Sequence, residues 1–277
     1  MTTDDTVADT GMEPRTAQPP LWVGAPLAAL RMGWTRVFSG LADIILPPSC
    51  VGCQARVLAH DTLCPSCWRD IDFIRAPLCD RLGIPLPYDM GGVMISAAAV
   101  ADPPDFDRAR AVALYNGLMR RLIHDLKYKD ALHARRLFGR WLMVAGSELI
   151  GGCDVIAAVP LARSRLISRR FNQAQILANE IARLSGKLTA PLALVRTKRT
   201  RQQVGLSHTE RQRNVAGAFL VPGGQESRIA GKAVLLVDDV ITTGATASAA
   251  ARALKKAGAS RVDVLALAIA GSTPVGP

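Results

Sequence analysis

Aromatic residues are scarce in this chain of 277 residues. Four Trp, six Phe and three Tyr make up 5% of it. They are scattered, so no platform on which nucleic-acid bases could stack is visible. Only four histidines are present, with no Ser/His/Asp arrangement and no glycine-rich dinucleotide loop. The most apolar N-terminal stretch, Leu21 to Leu46, is broken by Arg31, Arg36 and Asp43, which lipid would penalise, so no transmembrane segment is expected. Asp4, Asp5 and Asp9 stand where a secretory signal carries basic residues, and a cytoplasmic location is the expectation. There is no internal repeat.

What is present is the composition of a folded protein: 49% hydrophobic and 21% charged residues, long enough for a sizeable core. The formal net charge of +11 predicts attraction to polyanions, whether nucleic acid, anionic lipid or a phosphorylated small molecule. Charge alone does not choose among them. Residues 1–20 read as a disordered tail and 21–46 as an amphipathic helix, with Leu27, Leu30, Trp34, Val37 and Leu41 on one stripe. A cysteine-bearing module over 47–90, rich in turn residues, and a linker over 91–109 follow. The linker contains Gly91-Gly92, Pro103-Pro104 and a short apolar run between them that reads as a strand.

From Arg110 to about residue 271 the pattern is α/β, with a polar tail over 272–277. Strands are expected at Arg110 to Tyr115, Val155 to Val159, Ala233 to Val237 and Val262 to Ile269. Helices are expected at Leu118 to Leu126, Ala131 to Leu149, Gln173 to Leu184 and from about Ala245 to Gly258. Apolar strands alternating with helices argue for a parallel central sheet. Cys153, at the head of a buried strand, reads as core. Tyr115, Arg121, His124, Lys127 and Tyr128 fall on or near one helix; Lys127 and Tyr128 are candidates to touch a ligand, with solvated helix positions as the plainer expectation.

The strongest chemical signal runs from Val234 to Thr246. A buried strand delivers Asp238 and Asp239 to its C-terminal edge, where α/β sheets bind ligands. The turn Thr242-Thr243-Gly244-Ala245-Thr246 then opens a helix. Helix amides, hydroxyl donors and a glycine that permits close backbone approach make an anion site. Two carboxylates would repel a phosphate but suit adjacent sugar hydroxyls or a cation carried by the ligand. The combination reads as a phosphorylated ribose. A strand merely capped by acids, or a receiver-type acidic pocket, are the competing readings.

Cys50-x2-Cys53 and Cys64-x2-Cys67 form two knuckles ten residues apart. Four thiolates so spaced suit a closed, structural Zn²⁺ site; disulfides or unpaired thiols are the alternative. His60, between the knuckles, is surplus to a full shell.

The Val234 to Thr246 segment resembles the phosphoribosyl-diphosphate signature of type I phosphoribosyltransferases. Val159-Pro160-Leu161 with Arg169-Arg170-Phe171-Asn172-Gln173, then Gln203 to Leu206, then Arg211, Asn214 and Ala218-Phe219, together with the cysteine module, are similar to the ComF family, which is associated with natural competence and DNA uptake. The resemblance implies a type I phosphoribosyltransferase fold behind a zinc-knuckle module. It implies that Arg163, Arg165, Arg169 and Arg170 border a diphosphate loop, and that the segment Arg196 to Arg213, with Lys198, Arg199 and Arg201, closes over the diphosphate with Mg²⁺. A solvated basic face and an exposed linker loop are the plainer readings of these two segments. The family has glycine where Arg170 stands, which bears on how closely the backbone approaches a diphosphate. Its second cysteine knuckle is reduced here to Cys79, with Leu82 in the place of the partner. Two functions follow. One is transfer of a phosphoribosyl group, with Asp238 and Asp239 as catalytic residues and an acceptor the sequence does not name. The other is a non-catalytic ligand-sensing or single-stranded-DNA-handling module acting with competence or recombination proteins. Oligomeric state is not legible.

Overall fold

The computed structural model describes residues 47–128, 134–162, 166, 171–197 and 215–270. The chain divides into Met1–Pro47 and a second compact unit, Pro48–Pro277. The expected tails, the helix over 21–46, Arg163, Arg165, Arg169, Arg170, Lys198, Arg199 and Arg201 lie outside the described residues.

Five strands form one parallel sheet in the order β1-β7-β6-β2-β3: β1 Ala109–Leu114, β2 Val155–Ala158, β3 Leu188–Thr189, β6 Ala233–Ile241 and β7 Arg261–Ile269. A two-stranded antiparallel hairpin joins β4 Val195–Arg196 to β5 Phe219–Leu220. The central strands are apolar on both faces because both faces are covered, as parallel sheets require. One core cluster holds Leu235, Val237 and Leu267 against Leu122 and Leu126 of α3 (Gly117–Tyr128), Phe138 and Leu142 of α4 (Arg135–Ala145) and Leu177 of α6 (Gln173–Ser185). The other holds Val234, Leu236 and Val264 against Ala247, Ala250 and Leu254 of α7 (Ala245–Lys256). Alanine dominates the buried stripe of α7, so this helix approaches the sheet closely.

The expected long helix 131–149 is instead α4 followed by a separate short α5 (Ser147–Gly151). A break falls at Gly146, where a side chain would collide with Leu265 Cδ2 at 2.5 Å. The apolar run between Gly91-Gly92 and Pro103-Pro104 is also different from expectation. It forms a short helix, α2 (Ala97–Ala101), with Ser96 as N-cap accepting from the Ala99 amide, followed by Asp102. Four alanines and a capping serine favour the helix over a strand. Strand β6 continues four residues past Val237, so both aspartates lie inside the strand, not beyond it.

The cysteine module, with α1 (Pro65–Arg69), packs onto the sheet unit. Val51, Cys67 and Ile71 join the core cluster of α3 and α4. Trp68, Phe73 and Trp141 form a ring cluster with centroids 4.8–6.0 Å apart, a geometry that contributes beyond area burial.

Candidate phosphoribosyl site and cysteine cluster

Strand β6 lies at the point where the sheet changes direction. Chain leaving β2 runs outward to β3, whereas chain leaving β6 runs the other way to β7. Crevices at such switch points bind ligands in open α/β sheets. Here the crevice receives Asp238 and Asp239. Successive side chains of a strand point to opposite faces, and the partners show it. Asp239 Oδ2 lies 2.9 Å from Lys127 Nζ, brought by the last turn of α3. Asp238, in register with Val234 and Leu236 on the other face, accepts from the Asp239 amide at 2.8 Å through Oδ1 and feels the charges of Lys127 and of Arg196 in β4. Burial, then the neighbouring Asp239 carboxylate, push Asp238 up to about 7, against the pull of Asp239 N–H, Lys127 and Arg196.

Lys127 is therefore not the solvated residue that the sequence led us to expect. Its side chain is 16% exposed and holds one of the two acids. The signal that pointed to it was its place at the end of an amphipathic helix, but its partner lies far away in sequence. Tyr128, by contrast, is exposed, 4.7 Å from His124 between ring centroids.

After Ile241 the chain turns through Thr242, Thr243 and Gly244 into α7. Gly244 has φ +76, a left-handed conformation that a side chain disfavours, and it lets the turn close. The Ala245 amide reaches Thr243 Oγ1 at 3.5 Å. The opening amides of any helix lack intrahelical acceptors, and those of α7 start at the end of the acid-bearing strand. Thr242 is exposed, while Thr243, Gly244 and Thr246 are half-buried. The segment that follows β2 is anchored at the same edge: Val159 N–H donates to Val237 O at 2.9 Å, one residue before Asp238. Asn172 caps α6 through Oδ1, accepting from Ala174 N–H at 3.2 Å, and donates to Val159 O at 3.1 Å.

The four module cysteines meet as their spacing predicts. Their sulfur atoms all lie within 4.8 Å of one another, and Cys53 and Cys64 sulfurs are 3.6 Å apart. Tetrahedral Zn–S bonds of about 2.3 Å place sulfurs roughly 3.8 Å apart, so the donor set fits a structural Zn²⁺. Cys50 Sγ accepts from Gly52 N–H at 3.4 Å and Cys64 N–H at 3.2 Å, and Cys64 Sγ from Cys67 N–H at 3.5 Å. Burial works to raise the Cys50 thiol, yet the amides of Cys64, Cys53 and Gly52 bring it down to about 6. Burial and three neighbouring sulfurs push Cys67 up.

Cys79 is buried and alone, and it keeps a knuckle's backbone without the partner sulfur. Its Sγ accepts from Leu82 N–H at 3.4 Å and Ser96 N–H at 3.2 Å. Burial raises this thiol, but Ser96 and the loop amides outweigh it, and the net shift is downward. Cys153 is buried and donates to Ile150 O, as a core thiol should.

Two domain models match the chain. Residues 41–98 match the double zinc ribbon domain, and residues 172–275 match the phosphoribosyl transferase domain. The DNA utilization protein YhgH of Salmonella typhimurium is 30% identical over 230 residues, covering 81% of this chain and 98% of that protein. The chain belongs to the ComF family. Competence protein F of Haemophilus influenzae is 27% identical over 225 residues, covering 79% of this chain and 96% of its own. Among solved structures, the allosteric regulatory enzyme of purine biosynthesis is similar over 49% of this chain and 26% of its own, at 23% identity and a TM-score of 0.33. On the two domain matches, the ComF chain has a phosphoribosyltransferase-type domain behind a zinc-ribbon module. No helix of the described residues is long and apolar enough to cross a membrane.

Proposed function

We propose that this protein binds phosphoribosyl diphosphate with Mg²⁺ and transfers the phosphoribosyl group. The observation that supports it most is one strand end presenting two carboxylates directly before a hydroxyl-lined turn and a helix start. The turn Thr242 to Thr246 receives the 5-phosphate through amides and hydroxyls. Asp238 and Asp239 accept hydrogen bonds from the ribose hydroxyls. The carboxylate oxygens of Asp238 and Asp239 are donors of the kind a hard cation takes, and Lys127 supplies positive charge 2.9 Å from Asp239. When bound, Mg²⁺ supplies charge neutralisation on the diphosphate.

Lys127 holds Asp239 oriented while the site is empty and stays beside the ligand's charge afterwards. Arg163, Arg169 and Arg170 are assigned to the diphosphate by their place after β2, and Arg199 and Arg201 to the closing segment. Guanidinium groups stay charged and bind phosphate oxygens bidentately. Loss of the diphosphate leaves positive charge on the ribose ring, which the adjacent carboxylates stabilise.

The ComF relatives named for DNA utilization and competence favour a second reading, single-stranded-DNA handling in uptake or recombination. Calorimetric titration separates the two. Phosphoribosyl diphosphate with Mg²⁺ is expected to bind the wild type and to lose about a hundredfold in affinity in Asp238→Asn/Asp239→Asn, since two hydrogen bonds to charged groups are worth roughly 1.5 kcal/mol each. Salt-sensitive binding of single-stranded DNA that survives those changes and weakens in Arg199→Ala/Arg201→Ala, with no phosphoribosyl diphosphate binding, would replace the first reading with the second.

A further inference from the structure

Helix α3 runs from the cysteine cluster to the acidic pair. Its 12 residues make a rod about 18 Å long. At the far end, Lys127 Nζ lies 2.9 Å from Asp239 Oδ2. At the near end, Leu118 is buried and closes under the cysteine knuckles. A β-carbon placed on Gly52 would lie 3.0 Å from Cys67 Sγ and 3.3 Å from both Leu118 methyl carbons. Only glycine leaves room for the knuckle, the sulfur and the foot of the helix to meet.

The foot is pinned by the module and by the sheet. Asn116, just before the helix, donates through Nδ2 to Asp72 Oδ2 at 2.6 Å. Gly117 has φ +41, and its β-carbon, were there one, would lie 3.5 Å from the carbonyl oxygen of Asp70, the cap of α1. Tyr115 N–H donates to Ile269 O at 2.9 Å and ties the same turn to β7.

Leu118, Leu122 and Leu126 form one buried row along α3, and Met119 and Ile123 form the next. Lys127 is the following member of that second row, four residues after Ile123. Packing in one core cluster with Leu235 and Val237 of β6 holds α3 down on the sheet. The stop at its foot sets how far the helix lies along its own axis. Hydrogen bonds lengthen out of range beyond roughly 3.2 Å, so an axial slip of about 1 Å at Leu118 parts Lys127 from Asp239.

We propose that Leu118 is a positioning residue for the phosphoribosyl site. Wedged against Gly52 and Cys67, it sets α3 so that Lys127 meets Asp239, and the cysteine cluster thereby tunes ligand affinity at the acidic pair. The inference rests on the function proposed above. Zinc, when bound, holds the Cys67 sulfur in place; packing along α3 does the rest. The module so gains a role beyond its own folding. Linkage makes the effect reciprocal: what the loaded knuckle adds to ligand affinity, the ligand returns to zinc affinity by the same factor.

The test titrates full-length, zinc-loaded protein with phosphoribosyl diphosphate and Mg²⁺. Leu118→Ala empties the space under the knuckle and is expected to weaken binding about fivefold or more, with zinc content unchanged. Leu118→Met refills that space and is expected to restore the wild-type affinity. In a Lys127→Met background, Leu118→Ala is expected to do nothing further, because the residue it acts through is gone. Equal weakening in both backgrounds, or none in either, overturns the inference. The wild type supplies a check that needs no core substitution. Saturating phosphoribosyl diphosphate is expected to tighten zinc about fivefold or more in competition with a chelator indifferent to Mg²⁺, and an unchanged zinc affinity overturns the inference. A wild type that does not bind phosphoribosyl diphosphate sinks the proposed function alone. The link through α3 is then read from Lys127→Met, whose zinc affinity is expected to fall about fivefold or more; zinc held as tightly as in the wild type overturns it.

Discussion

Four sulfurs in the N-terminal module and two carboxylates near the other end of the chain meet the same difficulty, like groups that disfavour one another's charge. They resolve it differently. The sulfurs are tied to backbone amides, and Cys67 is pushed toward its protonated form. The carboxylates have Lys127 and Arg196 supplied by the protein, and one of them, Asp238, takes up a proton near neutrality. The first arrangement calls for a metal to complete the fold. The second can stand empty, so a ligand can come and go.

Removing the metal should break this contrast most sharply. Chelation, or Cys64→Ser, is expected to lower Tm by roughly 10 °C or more, because structural zinc contributes on the order of 10 kcal/mol to folding of small modules. Parallel zinc quantification and thermal melts check it; a metal-free protein melting like the loaded one would remove the distinction.

The acidic pair should respond in the opposite direction. Asp238→Asn is expected to weaken ligand binding roughly tenfold yet raise Tm by roughly 2–4 °C at pH 8, about 1 kcal/mol for a chain of this size. The sign follows from linkage. A carboxyl lifted from 3.8 to about 7 binds more protons folded than unfolded across that interval, so the wild type loses stability as pH rises through it. The stability gap between variant and wild type is therefore expected to widen from pH 5 to pH 8. A constant gap in melts across that range would contradict the assignment.

Smaller effects sharpen the picture. Lys127→Met leaves Asp239 without its ammonium partner and removes a positive charge that Asp238 also feels, and should cost about 1 kcal/mol near neutral pH and less at pH 5. Cys79→Ala tests the half-lost knuckle, where hydrogen bonds and packing have replaced a metal. It is expected to cost under about 1 kcal/mol and to leave zinc content unchanged.

The parts of this protein that were legible in sequence are contiguous. The strand, acids, turn and helix from Val234 to Thr246 follow one another without a gap, and the paired cysteines repeat a short spacing. Periodicity also placed β1, β2, α6 and β7 within a residue or so. What was hidden depends on residues distant in sequence meeting in space. Lys127 reads as a surface lysine until α3 is laid beside β6. The 97–101 segment reads as a strand because a short apolar run carries no decisive period, yet Ser96 caps it as a helix.

A crystal structure of the full chain with phosphoribosyl diphosphate and Mg²⁺ tests the central claim most directly. The account predicts the 5-phosphate on the Thr242 to Thr246 amides, with ribose hydroxyls within hydrogen-bond distance of Asp238 and Asp239. A ligand seated elsewhere, with Lys127 still closed on Asp239 and the turn vacant, would contradict it.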